Sequence, residues 1–143
     1  MKDLNDEISM RVFTSLRKII QAMDRHSSYL KKEFGITSSQ LIILQKVFEV
    51  DSILISQLAE QVSLSQATVT DITKRLVAKG LVERRKREDD RRAVSLSLTP
   101  AGEEMMKDLP SPLQETFTNR FSEIEDWEQM MILSAFERVV NLM

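Results

Sequence analysis

The feature that most constrains the fold of this chain is a change in hydrophobic period at Gly80. Before Gly80, apolar residues recur every three or four positions over 66–79, which predicts a helix that the glycine ends. After Gly80, residues 81–87 and 94–98 have the pattern of strands, and the polar segment 88–91 has the composition of a turn. The middle of the chain is therefore predicted to be a helix followed directly by a β-hairpin.

A shorter helix precedes this one. Ser56 is a suitable N-cap for a helix over 57–62, and Ser65 is a suitable N-cap for the helix that starts at Gln66. The three residues 63–65 fit a tight turn, so the two helices have the pattern of a helix-turn-helix. A helix-turn-helix with a charged hairpin after it is a winged helix-turn-helix.

Helices are also predicted on both sides of this region. Residues 5–34 carry an apolar stripe at spacings of three and four, which predicts a helix of about 45 Å that Gly35 ends. A helix whose length exceeds the width of a small domain usually packs against another subunit. Further predictions are a helix over 40–49, a brief β-like run at 53–55, a helix start at Thr99 and Pro100, a break at Pro110 and Pro112, and a last helix over 125–142.

The predicted fold is mainly α-helical with a small β-hairpin wing. A length of 143 residues fits one domain, so we expect a single domain over 1–143. Within it, 53–99 would form the winged helix-turn-helix, and 5–35 and 100–143 would form a dimerisation region.

The composition argues against most kinds of enzyme. The sequence has no cysteine, one histidine and three glycines, which excludes disulfides, thiolate catalysis, a His–His metal motif and a glycine-rich phosphate loop. We therefore expect no catalytic site, no metal and no cofactor. The longest apolar run is too short to span a membrane and the N-terminal residues are polar, which predicts a cytoplasmic protein with no membrane partner.

The positive charge is concentrated in the middle of the chain. The net charge of the whole sequence is −2, but residues 53–100 hold nine basic and six acidic side chains, net +3. All nine basic residues lie between Lys74 and Arg92. Residues 101–143 hold three basic and nine acidic side chains, net −6. Although the net charge of the whole sequence is negative, the chain therefore contains a short basic segment that could bind an anionic partner.

The outward side of the second helix of the helix-turn-helix mixes small, hydroxyl, amide and charged side chains. Such a mixture suits base-pair edges in the major groove, where glutamine reads adenine and a carboxylate accepts from cytosine. The candidates are Gln66, Ala67, Thr68, Thr70, Asp71 and Lys74. The alternative is that these side chains only form a solvated surface.

The hairpin places six basic residues within nine positions: Arg84, Arg85, Lys86, Arg87, Arg91 and Arg92. Mutual repulsion among them would be relieved by a phosphate backbone with release of counterions. Asp90 is close enough in sequence to hold the Arg92 guanidinium and aim it, and a narrow minor groove attracts such an arginine. The alternative is a charged surface that only keeps the chain in solution.

The segment from Ile55 to Gly102 resembles the MarR family of bacterial transcriptional regulators. The residues that carry the resemblance are Leu58-Ala59, Leu64-Ser65, Thr68-Val69-Thr70, Leu76, Lys79-Gly80-Leu81-Val82, Asp90-Arg91-Arg92 and Leu98-Thr99-Pro100-Ala101-Gly102. The long first helix and the closing helices extend the resemblance over the whole length.

The resemblance implies a homodimer that binds double-stranded DNA at a palindromic operator, usually as a repressor. It also implies that a small-molecule effector releases the dimer from the DNA. It implies that Ser65 to Arg75 enter the major groove, which adds Ser65 and Arg75 to the candidates. It also implies that Arg92, held by Asp90, enters the minor groove. The DNA-binding set is completed by Arg84 and Lys86 of the hairpin.

Three features depart from the family pattern. Asp71 stands where many members have a basic residue, so the operator preference is expected to differ. Ser63 stands where the turn often has glycine, which should be a mild change. Pro110 and Pro112 interrupt the fifth helix more than usual, which affects the dimerisation region.

Four residues are candidates for an effector pocket: His26, Tyr29, Gln45 and Phe48. His26 lies on the apolar stripe of the first helix. Besides lining a pocket, it has two other interpretations. The simpler one is a half-buried, hydrogen-bonded histidine, and the other is metal binding. Tyr29, Gln45 and Phe48 are equally explained as core residues.

Two other functions are alternatives to DNA binding. One is a helical protein-interaction module whose winged helix no longer binds DNA, which the acidic total charge and Asp71 would favour. The other is an enzyme, for which the sequence offers no nucleophile–base pair, metal set or phosphate loop.

Overall fold

The computed structural model describes residues 2–90 and 92–143. These form seven helices and three strands. In chain order they are α1 (Lys2–Phe34), α2 (Ser38–Val50), β1 (Ser52–Leu54), α3 (Ile55–Val62), α4 (Gln66–Ala78), β2 (Val82–Lys86), β3 (Val94–Leu98), α5 (Pro100–Met106), α6 (Leu113–Phe121) and α7 (Asp126–Asn141). The chain divides into two compact units, one ending at Pro110 and the other beginning at Ser111. The predicted fold class, mainly α with a small hairpin wing, is confirmed.

The three strands form one antiparallel sheet in the order β1-β3-β2. The hairpin predicted after Gly80 is β2 and β3, in which Arg84 lies opposite Leu96 and Lys86 lies opposite Val94. The brief run predicted at 53–55 is β1, one residue earlier, and Ile53 pairs with Leu96 from the other side. The sheet thereby joins the start of the helix-turn-helix to the base of the wing.

The hydrophobic core of the first unit lies between α2, the helix-turn-helix and this sheet. Its largest fully buried apolar side chains come from every one of these parts: Leu30, Ile36, Leu41, Ile43, Leu44, Val47, Leu58, Val69, Leu76, Val82 and Leu96. α2 contributes the most, as its strongly apolar sequence predicts. The core holds α4 against the sheet and leaves its opposite side in solvent.

Local sequence signals set the starts of three helices. Thr37 caps α2 through a capping box with Gln40, and Ser65 and Thr99 cap α4 and α5. The prediction that Ser56 caps the short helix was wrong: α3 begins at Ile55, and its N-cap is Leu54. Ile55 is buried and the Leu54 N–H donates to the Gln57 Oε1 at 3.4 Å, so packing and a neighbouring amide start the helix earlier.

α1 is held by the core only near its C-terminus. Of the predicted apolar stripe only Leu30 is buried, whereas Val12, Ile19 and Met23 are at least two-fifths exposed. α1 is 33 residues long, or about 50 Å. Among the residues that the structure describes, no helix is both long and apolar enough to cross a membrane.

The second unit consists of α6 and α7. The rings of Phe117 and Phe121 stack with centroids 5.1 Å apart, and the Gln129 side-chain amide donates to the backbone oxygens of Phe121 and Ile124. The two hydrogen bonds of Gln129 fix the turn between the two helices. Neither helix has a buried residue, and most large apolar side chains of α7 are exposed, with Trp127 64% exposed.

Candidate nucleic-acid interface

The turn between α3 and α4 fixes where the second helix begins. Ser63 has φ +55°, the left-handed conformation that glycine would adopt at lower cost, and its N–H donates to the Glu60 carbonyl. The Ser65 hydroxyl accepts from the Thr68 N–H at 3.1 Å and lies 2.7 Å from the Thr68 hydroxyl. Both hydroxyls are thus engaged with each other at the start of α4.

One side of α4 is anchored in the core. Val69, Ile72 and Leu76 are buried, as the helical spacing predicts. Thr73 is also buried, and its hydroxyl donates to the Val69 carbonyl at 2.7 Å, which satisfies its polar atom within the helix. Thr73 is a core residue that the sequence pattern did not predict. Its spacing beside Val69, Ile72 and Leu76 was the available signal.

The opposite side of α4 presents the predicted candidates to solvent. Gln66, Ala67, Thr68, Asp71, Lys74 and Arg75 are exposed, and Thr70 is half-buried. The Thr70 hydroxyl donates to the Gln66 carbonyl at 2.8 Å, and Arg75 lies 3.4 Å from the Asp71 carboxylate. Within 2–90 and 92–143 the side chains of Gln66 and Lys74 have no hydrogen-bond or ion-pair partner. These two groups are the ones most free to bind a ligand.

The wing has two chemically different faces. Cross-strand partners share a face, so Arg84 and Lys86 lie on the face of Leu96 and Val94, whereas Glu83 and Arg85 lie on that of the serines of β3. On the serine face Arg85 donates to Glu83 at 3.1 Å. No described carboxylate lies within 4 Å of the Arg84 or Lys86 side chain. The positive charge without a nearby acid is therefore on one face of β2.

The turn of the wing is held by Asp90. Its Oδ1 accepts a 2.9 Å hydrogen bond from the backbone N–H of Arg92, and its carbonyl accepts from the Ala93 N–H. The prediction that Asp90 holds the Arg92 guanidinium was wrong about the atom: the carboxylate binds the backbone. A carboxylate that accepts from the N–H two residues later closes an Asx turn. The backbone N–H is nearer to the carboxylate than the end of the arginine side chain is.

The remaining wing cations differ in their surroundings. The Arg87 Nε lies 3.2 Å from the Asp89 carboxylate. The Arg92 side chain is exposed, and none of the described carboxylates lies within 4 Å of its guanidinium. Arg91 lies outside the described residues. Five side chains therefore lie at the surface without a protein partner among the described residues: Gln66 and Lys74 of α4, and Arg84, Lys86 and Arg92 of the wing. A site that binds phosphates and base edges needs such available groups.

The four candidate effector residues make separate contacts. Tyr29 packs edge-on against Phe34 at 5.9 Å and is half-exposed, and the Gln45 amide donates to Glu49 at 3.3 Å. His26 is half-buried, and Phe48 is exposed. An effector pocket at these residues stays a prediction. In the part of the chain that the structure describes, no group of three His, Asp or Glu side chains could hold a metal ion.

Comparisons with known proteins give the same assignment as the site. Residues 36–94 match the model of the MarR family. The HTH-type transcriptional regulator SarZ of Staphylococcus aureus is 31% identical over 120 residues, which cover 84% of this chain and 76% of SarZ. An uncharacterised HTH-type transcriptional regulator of Bacillus subtilis, YsmB, is 31% identical over 114 residues, 80% of this chain and 78% of YsmB.

A similar fold occurs in a solved structure of an E. coli MarR mutant complexed with operator DNA. The TM-score is 0.62 at 22% sequence identity, and the match covers 90% of this chain and 93% of that one.

The fold and the basic surface together define a winged helix-turn-helix protein. The chain belongs to the MarR family, and it is a transcriptional regulator of that family, a class of proteins that are not enzymes.

Proposed function

We propose that this protein is a sequence-specific regulator that binds double-stranded DNA as a homodimer and represses a promoter in the cytoplasm. The observation that carries the proposal is a set of polar and cationic groups on two adjacent elements that have no partner among the described residues. Gln66 and Lys74 face outward on α4, and Arg84, Lys86 and Arg92 lie on the wing that follows it. Together they supply groups for base edges and groups for phosphates.

The core geometry supports α4 as the helix that enters the major groove. Its apolar side is fixed against the core by Val69, Ile72 and Leu76. Its N-terminal end is fixed by the Ser65 cap, and recognition helices usually contact bases near that end. A rigid helix with a polar outer face loses little conformational freedom on binding.

Asp71 is expected to set part of the sequence preference. Its carboxylate is exposed and can accept a hydrogen bond from cytosine N4, but it cannot bind the O6 and N7 acceptors of guanine. The ion pair with Arg75 at 3.4 Å lowers the repulsion between Asp71 and a nearby phosphate. Half-sites with cytosine opposite Asp71 are therefore favoured.

Exposed apolar surface supports the homodimer. α1 exposes Phe13, Ile20 and Met23, each about half exposed or more, and α7 exposes Trp127 and Phe136 in the same way. Apolar faces of this extent usually pair with a partner, and a second copy of the chain is the partner that a palindromic operator needs. The two α4 helices would then lie about 34 Å apart, one turn of DNA.

Release by a small effector completes the proposed cycle. A ligand at the helical junction of the dimer that favours a different separation of the two α4 helices would weaken operator binding. His26, Tyr29, Gln45 and Phe48 are the proposed lining. The family resemblance supports this step.

A protein-interaction module without DNA binding is the second candidate. The net charge of −2 and the acidic Asp71 on the outer face of α4 favour it. The two candidates differ sharply in their response to salt, since only binding to a phosphate backbone releases many counterions.

The experiment that tests the proposal selects duplexes from random and genomic DNA with the full-length protein. The expected result is a palindromic sequence whose affinity falls steeply on a log–log plot against salt. A flat salt response with no enriched sequence would overturn the proposal and favour the interaction module. Sedimentation in the absence of DNA tests the homodimer, which a folded monomer at micromolar concentration would contradict.

A further inference from the structure

The turn between α1 and α2 is a rigid element. Gly35 has φ +68° and its N–H donates to the Lys31 carbonyl at 3.0 Å, while the Ile36 N–H donates to the Leu30 carbonyl at 3.4 Å. Leu30 and Ile36 are both fully buried. The end of α1 is thus tied to the core by backbone hydrogen bonds and by apolar contacts at the same point.

Gln40 extends this rigid turn to the start of α2. The Gln40 side chain is 3% exposed, and its Oε1 accepts from the Thr37 N–H at 3.1 Å. The same Oε1 lies 3.2 Å from the ammonium of Lys79. That ammonium also donates to the carbonyl oxygen of Gly35. One charged group therefore binds both halves of the α1–α2 turn.

Lys79 directly follows the last residue of α4. It is the C-cap residue of that helix, and its backbone N–H donates to the Arg75 carbonyl at 3.1 Å. Its two side-chain partners lie 44 and 39 residues away in sequence. The ammonium lies at the C-terminal end of α1, where the partial negative charge of the helix favours a cation.

The described residues that line the cavity beside Lys79 include no acid that would compete for its ammonium. A cavity of about 440 Å³ beside it is lined by Lys31, Arg75 and neutral groups, and none of its described lining residues is a carboxylate. The neutral oxygens of Gly35 and Gln40 are therefore the partners that hold Lys79 in place.

We infer that Lys79 is a positioning residue, which couples the α1–α2 turn to the orientation of α4 on DNA. The inference rests on the proposed function. α4 spans 13 residues, so it is about 20 Å long. A tilt of about 10° around its C-terminal end would move Gln66 by about 3 Å, which is enough to break a hydrogen bond to a base.

The geometry distinguishes Lys79 from a lysine that binds phosphate. A phosphate-binding lysine releases a counterion, so its removal lowers the slope of log affinity against log salt by about 0.9. Lys79 binds protein oxygens, so its removal should lower affinity with the slope unchanged. Lys74 is the matched control because it lies on the exposed side of the same helix without a protein partner among the described residues.

The test compares Lys79→Met, Lys79→Arg and Lys74→Met as full-length proteins on the duplex selected from random DNA. Lys79→Met is expected to bind about tenfold more weakly at every salt concentration, the size of one charge-assisted hydrogen bond. Lys79→Arg, which keeps a cation within reach of both oxygens, should restore most of the affinity. Lys74→Met should instead reduce the salt slope by about 0.9.

A second measurement separates positioning from loss of stability. Duplexes with one base pair added or removed between the half-sites are compared with the selected duplex. Because a looser α4 adjusts to a wrong spacing, Lys79→Met should discriminate less between these duplexes than the natural protein does. A variant that was only less stable would keep the same discrimination.

Several results would overturn the inference. Undiminished affinity of Lys79→Met would do so, as would a reduced salt slope, since Lys79 would then be a phosphate contact. An unchanged preference for half-site spacing, or a Lys79→Arg variant as weak as Lys79→Met, would also count against it. If the natural protein bound no duplex, the proposed function would fail first and this inference with it.

Discussion

The hydroxyl of Thr99 donates a 2.6 Å hydrogen bond to the carbonyl oxygen of Gly80. The same hydroxyl accepts from the Gly102 N–H at 3.1 Å, and the Thr99 N–H donates to the Leu81 carbonyl. The segment after β3 is thereby fastened to the segment between α4 and β2. Two motifs that carry the family resemblance, 79–82 and 98–102, are the two sides of one contact.

Gly102 is predicted to be required for this contact. A β-carbon at position 102 would overlap the Leu81 carbonyl oxygen and lie 3.3 Å from the Leu98 Cδ2. Because the overlap is with backbone, Gly102→Ala should lower the free energy of unfolding by about 2 kcal/mol. Thermal or denaturant unfolding measures this. Ala101→Ser, an exposed change in the same turn, is the control, and an equally stable Gly102→Ala would refute the close approach.

The two faces of the wing predict different salt effects. Arg84→Ala and Lys86→Ala should each reduce the slope of log affinity against log salt by about 0.9, because each removes a cation that has no described carboxylate within 4 Å. Arg85→Ala is the matched control, since Arg85 already pairs with Glu83, and it should change the slope by less than half as much. Equal slopes for all three variants would show that the face of the strand does not matter.

Arg92 is predicted to contact DNA from the wing turn. Its exposed side chain has no described carboxylate within 4 Å, so Arg92→Ala should weaken operator binding by about 1–3 kcal/mol if it lies in a groove. Quantitative titration of the selected duplex measures the loss, and sedimentation should show an unchanged dimer. Full affinity of Arg92→Ala would remove this residue from the interface.

Asp90 gives a prediction that separates the observed contact from the expected one. Because the Asp90 Oδ1 accepts from the Arg92 backbone, Asp90→Asn keeps an acceptor in place and should bind DNA within about twofold of the natural protein. Asp90→Ala removes the acceptor and should weaken binding more. If both variants lost affinity equally, the negative charge would be the important property, as a contact with the guanidinium requires.

The exposed face of α7 is predicted to be buried in the dimer. Phe136 is 47% exposed, and Phe136→Glu would place a charge in an apolar interface, so the dimer should dissociate at least tenfold more readily. Sedimentation over a concentration series measures the constant. Arg138→Glu introduces the same side chain at an exposed polar position of this helix, and an equal effect of both changes would argue against an apolar interface there.

Much of the fold followed from local sequence. The change of period at Gly80 placed α4, β2 and β3 within one or two residues, because Gly80 has φ +71° and ends the helix as predicted. Thr99 with Pro100 placed the start of α5 correctly. The break expected at Pro110 and Pro112 separates α5 from α6. Each of these signals acts over a few residues and needs no partner from elsewhere in the chain.

Other parts of the site depended on contacts that sequence spacing does not reveal. Ser56 has the right chemistry for a cap, yet burial of Ile55 starts α3 earlier. The sequence predicted that Asp90 contacts Arg92, and it does. The sequence does not reveal, however, whether the carboxylate binds the backbone or the side chain of Arg92. Thr73 is polar and buried, which the helix allows because its hydroxyl finds a backbone oxygen in the preceding turn.

The sequence by itself determined the position of the hairpin after Gly80, the starts of α4 and α5, and the concentration of positive charge between Lys74 and Arg92. These properties arise from interactions between neighbouring residues. Only the tertiary structure decided which wing cations pair with a carboxylate among the described residues, that Thr99 contacts Gly80, and that Lys79 binds the turn after α1. Such contacts join residues 19 and 44 positions apart, and they form only after the core has fixed the distances between separate elements.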